Sequence, residues 1–197
     1  MSRPKIVAIS SSISESSKTA TFLDHVTDRF DQSLFDVTAI NLRDIPPASY
    51  FRYPVEDPAL LDAFASIEQA DGIIFPTPIY KASFSGLLKS FLDLLPQFAF
   101  AGKAILPLAT GGSIAHVLAL DYSLRPVVQS MGARQIVQSY FLPEKEMFLD
   151  GGRVKLHTDA EKGLSEAIHH FKASILSSTN DRLLGHPRPE REAVISI

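Results

Sequence analysis

The run Asp71–Leu95, DGIIFPTPIYKASFSGLLKSFLDLL, constrains the fold of this chain more than any other stretch. It opens with an apolar block, Gly72–Phe75, which is too short for a helix and rich in branched side chains. Such a block is typical of a strand that is buried on both faces of a parallel sheet. Because Pro76 and Pro78 remove two backbone donors and fix two φ angles, we expect the strand to stop there and a rigid, extended loop to follow.

The second half of the run has the period of a helix. Its apolar residues recur at i, i+3, i+4, i+7, i+8 and i+11, and they are Phe84, Leu87, Leu88, Phe91, Leu92 and Leu95. This spacing places them on one helical face, so the run predicts a strand, a stiff loop and a helix, which is the βα unit of an α/β protein. Ligands of open α/β sheets bind just beyond the carboxyl ends of the strands.

The loop Pro76–Tyr80 lies at that edge of the predicted sheet. It offers backbone amides, a threonine hydroxyl and an aromatic ring but few charges, which suits a flat, largely uncharged ring better than a phosphate. The alternative is a structural loop whose Tyr80 packs on the following helix, since βα loops of this kind are common. The pattern alone does not decide between the two.

The composition excludes several classes of function. A length of 197 residues favours one domain, and a net charge of −3 gives no reason to expect a nucleic acid or an anionic membrane as partner. No apolar run approaches the roughly 18 residues of a membrane span. Because the N-terminus enters a predicted strand at once, we expect no signal peptide. The absence of cysteine excludes disulfides and thiol-ligated metals. We expect a cytoplasmic protein.

Strands and helices alternate along the chain. The other predicted strands are Lys5–Ser10, Val37–Asn41, Lys103–Ala109 and Gln135–Phe141. Five strands that are each followed by a helix predict a doubly wound α/β sheet, best fitted by the flavodoxin-like order 2-1-3-4-5. The second helix is expected to bury Leu60, Leu61, Phe64 and Ile67. We assign residues 1–177 to this domain and 178–197 to a tail that is flexible or docks on a neighbouring subunit.

The loop after the first strand, Ser11–Thr19, is dense in hydroxyl groups and carries Lys18 near its end. Because it leads into a helix, it has the free amides, hydroxyl donors and positive dipole end that can hold a phosphate. It is not a Walker A loop, since it has no glycine, and no GxGxxG fingerprint occurs in the chain. The alternative is a polar turn with an N-cap and no ligand.

The fourth strand ends in Thr110-Gly111-Gly112-Ser113. Two glycines at the carboxyl end of a strand let the backbone approach a ligand closely and leave its amides unblocked. A plain strand-to-helix turn uses glycines as well, so this pattern also has a purely structural interpretation.

The helix predicted over about His116–Met131 has an apolar face that slips around Leu120–Leu124. An inserted residue that forms a π-bulge produces such a slip, and π-bulges favour functional sites. The alternative is that Pro126 disturbs the preceding turn. His116 is expected at a helix end or in packing, and the doublet His169-His170 in solvent, so we predict no metal site.

Two segments resemble a known family. They are PTPIYKASFSGLLKSFLDLL and, at Leu106–Val127, LPLATGGSIAHVLALDYSLRPV, and weaker similarity in register extends over most of Lys5–Val137. Both are similar to segments of the NAD(P)H-dependent FMN reductases. They are closest to the FMN reductase components of bacterial two-component alkanesulfonate monooxygenase systems.

The resemblance implies a site for each part of FMN. The phosphate is expected at Ser11, Ser17, Lys18 and Thr19. The isoalloxazine is expected between Pro76, Thr77, Pro78, Ile79 and Tyr80 on one side and Thr110, Gly111, Gly112 and Ser113 on the other. The family pattern Gly-Ser-x-Arg is replaced by Ser10-Ser11-Ser12-Ile13. This loss of an arginine leaves Lys18 as the nearest cation and implies a modest affinity for the flavin.

The resemblance also implies the reaction. A hydride passes from NADPH, or NADH, directly to FMN N5, with no catalytic acid or base from the protein, because the cofactor carries the chemistry. Reduced FMN then passes to an FMNH2-dependent monooxygenase in the use of sulfonates or related organosulfur compounds. The resembling reductases carry a π insertion at a tyrosine in a subunit interface, which implies that Tyr122 belongs to the contact of a homodimer or homotetramer.

Two alternatives remain at this point. One is a relative that keeps FMN bound and reduces quinones, azo dyes or metal ions. The other is a flavodoxin-type electron carrier without an NAD(P)H site, although flavodoxins are usually much more acidic than this chain and lack its PTPIY and ATGG loops.

Overall fold

The computed structural model describes residues 3–14, 17–150 and 153–177. Its strands are β1 (Lys5–Ser10), β2 (Asp36–Asn41), β3 (Gly72–Pro78), β4 (Ala104–Gly111), β5 (Gln135–Ile136), β6 (Tyr140–Pro143), β7 (Met147–Asp150) and β8 (Arg153–Leu156). Its α-helices are α1 (Lys18–Thr27), α2 (Pro58–Gln69), α3 (Gly86–Leu92), α4 (Arg125–Ser130) and α5 (Thr158–Ser177). The predicted tail, 178–197, lies outside the described residues.

The main sheet is parallel and has the order β2-β1-β3-β4-β5, with β6 also pairing with β4. This confirms the predicted flavodoxin-like order. On one face Val7 and Ile73 pack with residues of α2, α3 and α4, and on the other Ile6 and Ile74 pack with residues of α1 and α5. Neighbouring residues of a strand point to opposite faces, so helices on both sides produce strands that are apolar throughout.

Strand β3 continues past its predicted end at Phe75, through both prolines. The amide of Ile79 donates to the carbonyl of Thr110 at 3.2 Å, so by alternation Thr77 also faces β4, whereas Pro76 and Pro78 face the β1 side. The pairing of β3 with β1 ends at Ile74. The missing N–H groups of the prolines therefore leave no ladder hydrogen bond unmade.

The fifth predicted strand, Gln135–Phe141, is wrong in detail, because it is split into β5 and β6. The guanidinium of Arg125 takes the carbonyls of Ile136 and Val137 as acceptors, at 3.2 and 3.1 Å. Its Nε also pairs with Asp121 at 3.1 Å. The strand is thus interrupted at the residues whose carbonyls accept hydrogen bonds from the side chain of Arg125. The antiparallel hairpin β7–β8 that follows was not predicted.

Two helices differ from their predicted form. In α2 the buried residues are Leu60, Ala63 and Ile67, whereas Leu61 is 47% exposed, so its predicted burial is wrong. The fourth predicted helix is a 3-10 turn at Ile114–His116, a π-helical segment at Leu120–Leu124, and α4. The predicted π insertion is therefore confirmed.

The proline-rich passage after β2 separates its aromatic residues. Tyr50 is buried and its hydroxyl donates to the carbonyl of Leu42. Burial raises the pKa of Tyr50 above its ordinary value, so the hydroxyl holds its proton more firmly than a tyrosine in water does. Phe51 and Tyr53 are exposed. One ring of the passage therefore anchors it to the core, and the other two face solvent.

None of the helices in the described part of the chain combines the length and apolar character needed to cross a bilayer. His169 and His170 are exposed on α5, as expected. Within residues 3–14, 17–150 and 153–177, no group of three or more His, Asp or Glu side chains is arranged to hold a metal ion.

A buried lysine joins α2 to the start of β4. The ammonium of Lys103 donates to the carbonyls of Glu68 and Ala70, each at 2.9 Å, at the C-terminal end of α2. Lys103→Met removes these two charge-assisted bonds, of which the one to Ala70 is buried and the one to Glu68 is part-buried, so we expect the free energy of unfolding to fall by about 2 kcal/mol. Urea denaturation measures this loss.

The matched control is Lys89→Met. Lys89 forms an exposed pair with Asp93 four residues on, at 2.6 Å, and such pairs contribute little. If both variants lost the same free energy of unfolding, the buried lysine would have no special role.

Candidate functional site

Three loops meet at the carboxyl edge of the sheet, beyond β1, β3 and β4. They border a cleft of about 420 Å³, which is within the range of roughly 300–1,000 Å³ typical of small-molecule sites. The strand order reverses between β1 and β3, and ligands of doubly wound sheets bind at such a switch point. The cleft is lined by Ser12, Ser14, Ser17, Lys18, Thr19, Pro78, Ile79, Tyr80, Thr110, Gly111, Gly112, Ser113, His116 and Glu144.

Most of the predicted residues line this cleft, and three do not. Ser11 is fully buried directly after β1, and its Oγ has no hydrogen-bond partner among the described residues. Pro76 and Thr77 are buried inside β3. The hydroxyl of Thr77 accepts from the amide of Ser85 at 3.0 Å, so it fixes the loop and does not face the cleft.

The first loop presents the N-terminus of α1 to the cleft. Ser17 is the N-cap, and its Oγ accepts from the amide of Ala20 at 3.0 Å. The first intrahelical bond runs from Thr21 N to Ser17 O, so the amides of Lys18 and Thr19 precede it. This end of the cleft therefore combines amides, hydroxyls and the positive end of a helix dipole.

One cation, Lys18, belongs to the first loop, and a second, Arg43, contacts it. Lys18 Nζ pairs with Glu144 Oε2 at 2.7 Å, and Arg43 Nη1 donates to the carbonyl of Ser14 at 2.6 Å. Arg43 follows β2, which lies beside β1, so the sheet order brings it to this loop. Sequence reasoning identified Lys18 alone, because Arg43 and Glu144 come from distant parts of the chain.

The second loop makes a tight turn after β3. Tyr80 and Ser83 exchange both backbone hydrogen bonds, at 2.9 and 3.0 Å. The two residues between them, Lys81 and Ala82, have φ angles of 50° and 61°. This left-handed conformation costs an L-residue roughly 1–2 kcal/mol. The turn holds Tyr80, which is 44% exposed, at the mouth of the cleft.

The third loop is joined to the first by a buried hydroxyl pair. Thr19 Oγ1 and Thr110 Oγ1 lie 2.6 Å apart. A Cβ at Gly111 would lie 3.0 Å from Phe141 Cζ, so packing explains that glycine. A Cβ at Gly112 would meet no protein atom within 4 Å, and Gly112 has no left-handed backbone. The protein itself therefore gives no reason for a glycine at position 112.

Four lining residues were not predicted: Ser12, Ser14, His116 and Glu144. His116 ends the 3-10 turn after the third loop, and its Nδ1 is buried without a hydrogen-bond partner in the described structure. Its place at a helix end was expected, but its contribution to the cleft was not. The local signal was its position four residues after Gly112, in the turn that follows the glycine pair.

The cleft fits an elongated ligand with an anionic group and a flat ring. One end offers amides, hydroxyls and a lysine, and the other offers Ile79, the ring of Tyr80 and the open space at Gly112. The unsatisfied Oγ of Ser11 adds a buried polar group beside the anionic end. These groups suit a nucleotide-like ligand bound at the switch point of a doubly wound α/β protein.

The comparisons with known proteins identify the family. The model of the NADPH-dependent FMN reductase family matches residues 4–146. The chain is 33% identical over 167 residues to an FMN reductase (NADPH) of Escherichia coli strain K12, which covers 85% of this chain and 87% of that protein. It is 34% identical over 193 residues to an FMN reductase (NADPH) of Pseudomonas putida, and this match covers 97% of this chain and 94% of that protein.

A solved structure is also similar. The apo form of the NADH:FMN oxidoreductase EMOB superposes with a TM-score of 0.81 at 46% identity, covering 94% of this chain and 97% of that one. The chain belongs to the NADPH-dependent FMN reductase family. It is an NAD(P)H:FMN oxidoreductase that uses FMN with NADPH or NADH, and the predicted family, enzyme class and cofactors are thereby confirmed. The electron-carrier alternative is dropped.

Gly112→Ala tests whether a ligand fills the space at position 112. We expect FMN to bind about tenfold more weakly, because an added methyl group in a filled site costs about 1–3 kcal/mol. The folded protein should not lose stability, since the methyl group meets no protein atom. Quenching of FMN fluorescence measures the affinity, and thermal unfolding measures the stability.

Gly86→Ala is the matched control. Gly86 also has open space around its missing Cβ and no left-handed backbone, but it begins α3 and does not line the cleft. FMN affinity that is unchanged at both positions would place the ligand away from Gly112.

Proposed function

We propose that the cleft holds FMN with its phosphate at the first loop and its ring between the second and third loops. We further propose that the enzyme releases reduced FMN to a partner monooxygenase, in the use of sulfonates or related organosulfur compounds. The observation that carries the first proposal is the polarity of the cleft, which is hydroxyl- and amide-rich at α1 and apolar at Ile79 and Tyr80. The resemblance of the two sequence segments supports the second.

At the phosphate end, the helix N-terminus supplies the binding groups. The amides of Lys18 and Thr19 and the hydroxyls of Ser12 and Ser14 can donate to phosphate oxygens, and the helix dipole favours negative charge. Buried Ser17 is occupied as the N-cap, so its part is to hold the helix start in place. The Thr19–Thr110 pair fixes the distance between the two ends of the cleft.

At the ring end, backbone groups supply most of the proposed contacts. The loop from Gly111 to Ser113 can donate amide hydrogen bonds to a pyrimidine edge, and Gly112 leaves room for a ring to approach. When bound, FMN supplies the hydride-accepting centre. The loops around Tyr80 and Gly112 would position the ring for the nicotinamide, and such positioning is a large source of rate acceleration.

The charges around the phosphate favour exchange over retention. The first loop carries no arginine, its exposed Ile13 occupies that place, and Lys18 is already paired with Glu144. A flavin that leaves readily can serve as a diffusible product. This supports the flavin-releasing proposal over a reductase that keeps FMN bound.

Steady-state oxidation of NADPH by flavin-stripped protein tests the proposal. We expect the rate to depend saturably on added free FMN, and reduced FMN to appear in solution, because the flavin is a substrate that exchanges on every turnover. NADH replaces NADPH in a parallel series, and reactions without flavin give the baseline. Activity that follows an added quinone while FMN stays on the protein would support the alternative reductase.

We also propose that the enzyme is a homo-oligomer with a contact at the π-helical segment. Ile114, Leu118 and Tyr122 are exposed and recur every four residues, and the amide of Tyr122 donates to the carbonyl of Leu118 at 3.0 Å. Leu118 and Tyr122 are thus one helical turn apart, and with the exposed Ile114 of the preceding 3-10 turn they give this segment an apolar surface beside the cleft, which we call the apolar stripe. Tyr122 is 76% exposed, and contiguous apolar surface of this kind is typical of protein contacts.

Tyr122→Ser should weaken this contact. Light scattering after gel filtration is expected to give a smaller particle mass at micromolar concentration than the unmodified protein gives, because the largest apolar group of the stripe is lost. Phe51→Ser is the control, since Phe51 is 82% exposed but lies on the passage after β2. An unchanged mass for Tyr122→Ser would contradict the contact.

A further inference from the structure

Glu144 places a negative charge at the end of the cleft where the phosphate is proposed to bind. It lines the cleft together with Lys18, and their side chains pair at 2.7 Å. Glu144 directly follows β6, whose last residue, Pro143, is in register with Gly111 of β4. The sheet therefore fixes the backbone of Glu144 beside the third loop, and the carboxylate reaches across to α1.

The charge balance at this end is unfavourable for holding a dianion. A phosphate monoester carries roughly −1.5 to −2 charges at pH 7. Lys18 is neutralised by Glu144, and Arg43 donates to Ser14 O and lies 3.5 Å from Asp44. A bound phosphate must compete with the Glu144 carboxylate for Lys18, and this carboxylate repels the phosphate at short range.

Both side chains of the pair are able to move. Lys18 is 56% and Glu144 40% exposed, so water can solvate either charge when the pair opens. Exposed pairs of this kind are weak and are easily exchanged for another partner. The pair can therefore open when an anion arrives and close again when it leaves.

We infer that Glu144 is an internal competitor for Lys18 and sets the affinity and exit rate of FMN. This inference rests on the proposed position of the phosphate. Lys18 leaves Glu144 to contact the phosphate, and Glu144 takes Lys18 back as the flavin departs. Glu144 is thus a specificity-determining residue, because it weakens binding only of flavins that carry the phosphate.

Glu144→Gln tests the inference by binding, without turnover. We expect FMN to bind about three- to tenfold more tightly by fluorescence quenching and to dissociate more slowly in stopped-flow displacement, because both the competition and the repulsion are removed. Riboflavin, which lacks the phosphate, should bind as it does to the unmodified enzyme. FMN binding that is unchanged or weaker in folded Glu144→Gln and Glu144→Ala would overturn the inference.

Glu146→Gln is the matched control. Glu146 belongs to the same 3-10 turn but does not line the cleft, and it lies 3.9 Å from Lys145. It should leave FMN affinity unchanged. If Glu146→Gln raised FMN affinity as much as Glu144→Gln does, the effect would come from the net charge of the protein, and the inference would be overturned.

Lys18→Met completes a double-mutant cycle. We expect this variant to bind FMN more weakly, and the gain from Glu144→Gln to be smaller in the Lys18→Met background, because the competition no longer exists. An equal gain in both backgrounds would show direct repulsion only and would refute the exchange of Lys18.

The failure of the proposed function gives a different pattern. If the phosphate does not bind at the first loop, neither Lys18→Met nor Glu144→Gln changes the affinity for FMN or for riboflavin. If FMN affinity depends on Lys18 but not on Glu144, the inference fails while the proposed position of the phosphate stands.

Discussion

The pairing of β3 with β4 is the constraint on which the site depends. The two strands stay in register from Gly72↔Ala104 to Pro78↔Thr110, and every residue of both is buried. Their backbone groups must therefore pair with each other, because water cannot satisfy them. The second and third loops leave from the ends of this pair, and the bond from Ile79 N to Thr110 O fixes the distance between them. A rigid edge for a ligand follows from burial alone.

Periodicity predicted the parts of the fold that are determined by burial. The apolar blocks at Gly72–Phe75 and Lys5–Ser10 lie in strands, and the strand order follows from the alternation of strands and helices. The end of β3 was misjudged because the rule that proline stops a strand assumes two paired edges. Past Ile74 the β1 side makes no ladder bond, so prolines are tolerated there.

Features that depend on a single long-range side-chain contact could not be predicted. The interruption of the fifth strand involves Arg125, which bonds to the carbonyls of Ile136 and Val137. No local pattern announces this contact. The slip of the apolar face at Leu120–Leu124 was visible because a π insertion changes the helical period itself.

The site divides in the same way. The resemblance predicted the residues around Pro78–Tyr80 and Thr110–Ser113, and they line one cleft. Strand ends and glycines leave a signature in sequence. Thr77 was assigned to the ligand, but its hydroxyl serves the loop. Arg43 and Glu144 were missed, since only the folded sheet brings β2 and β6 beside the first loop.

This division separates two properties of the enzyme. The ring end is held by main-chain bonds and by a turn in which Lys81 and Ala82 are forced into the left-handed region, so its geometry is rigid. At the end where we propose that the phosphate binds, the amides and hydroxyls of the first loop are joined by two charged side chains at the surface, Lys18 and Glu144, and the pairing of these two with each other would compete with an anionic ligand. Under the proposed function, positioning for hydride transfer needs the first property, and release of reduced FMN needs weak binding at the second end. Because different residues carry them, the affinity for the flavin can change while the alignment of the ring is preserved.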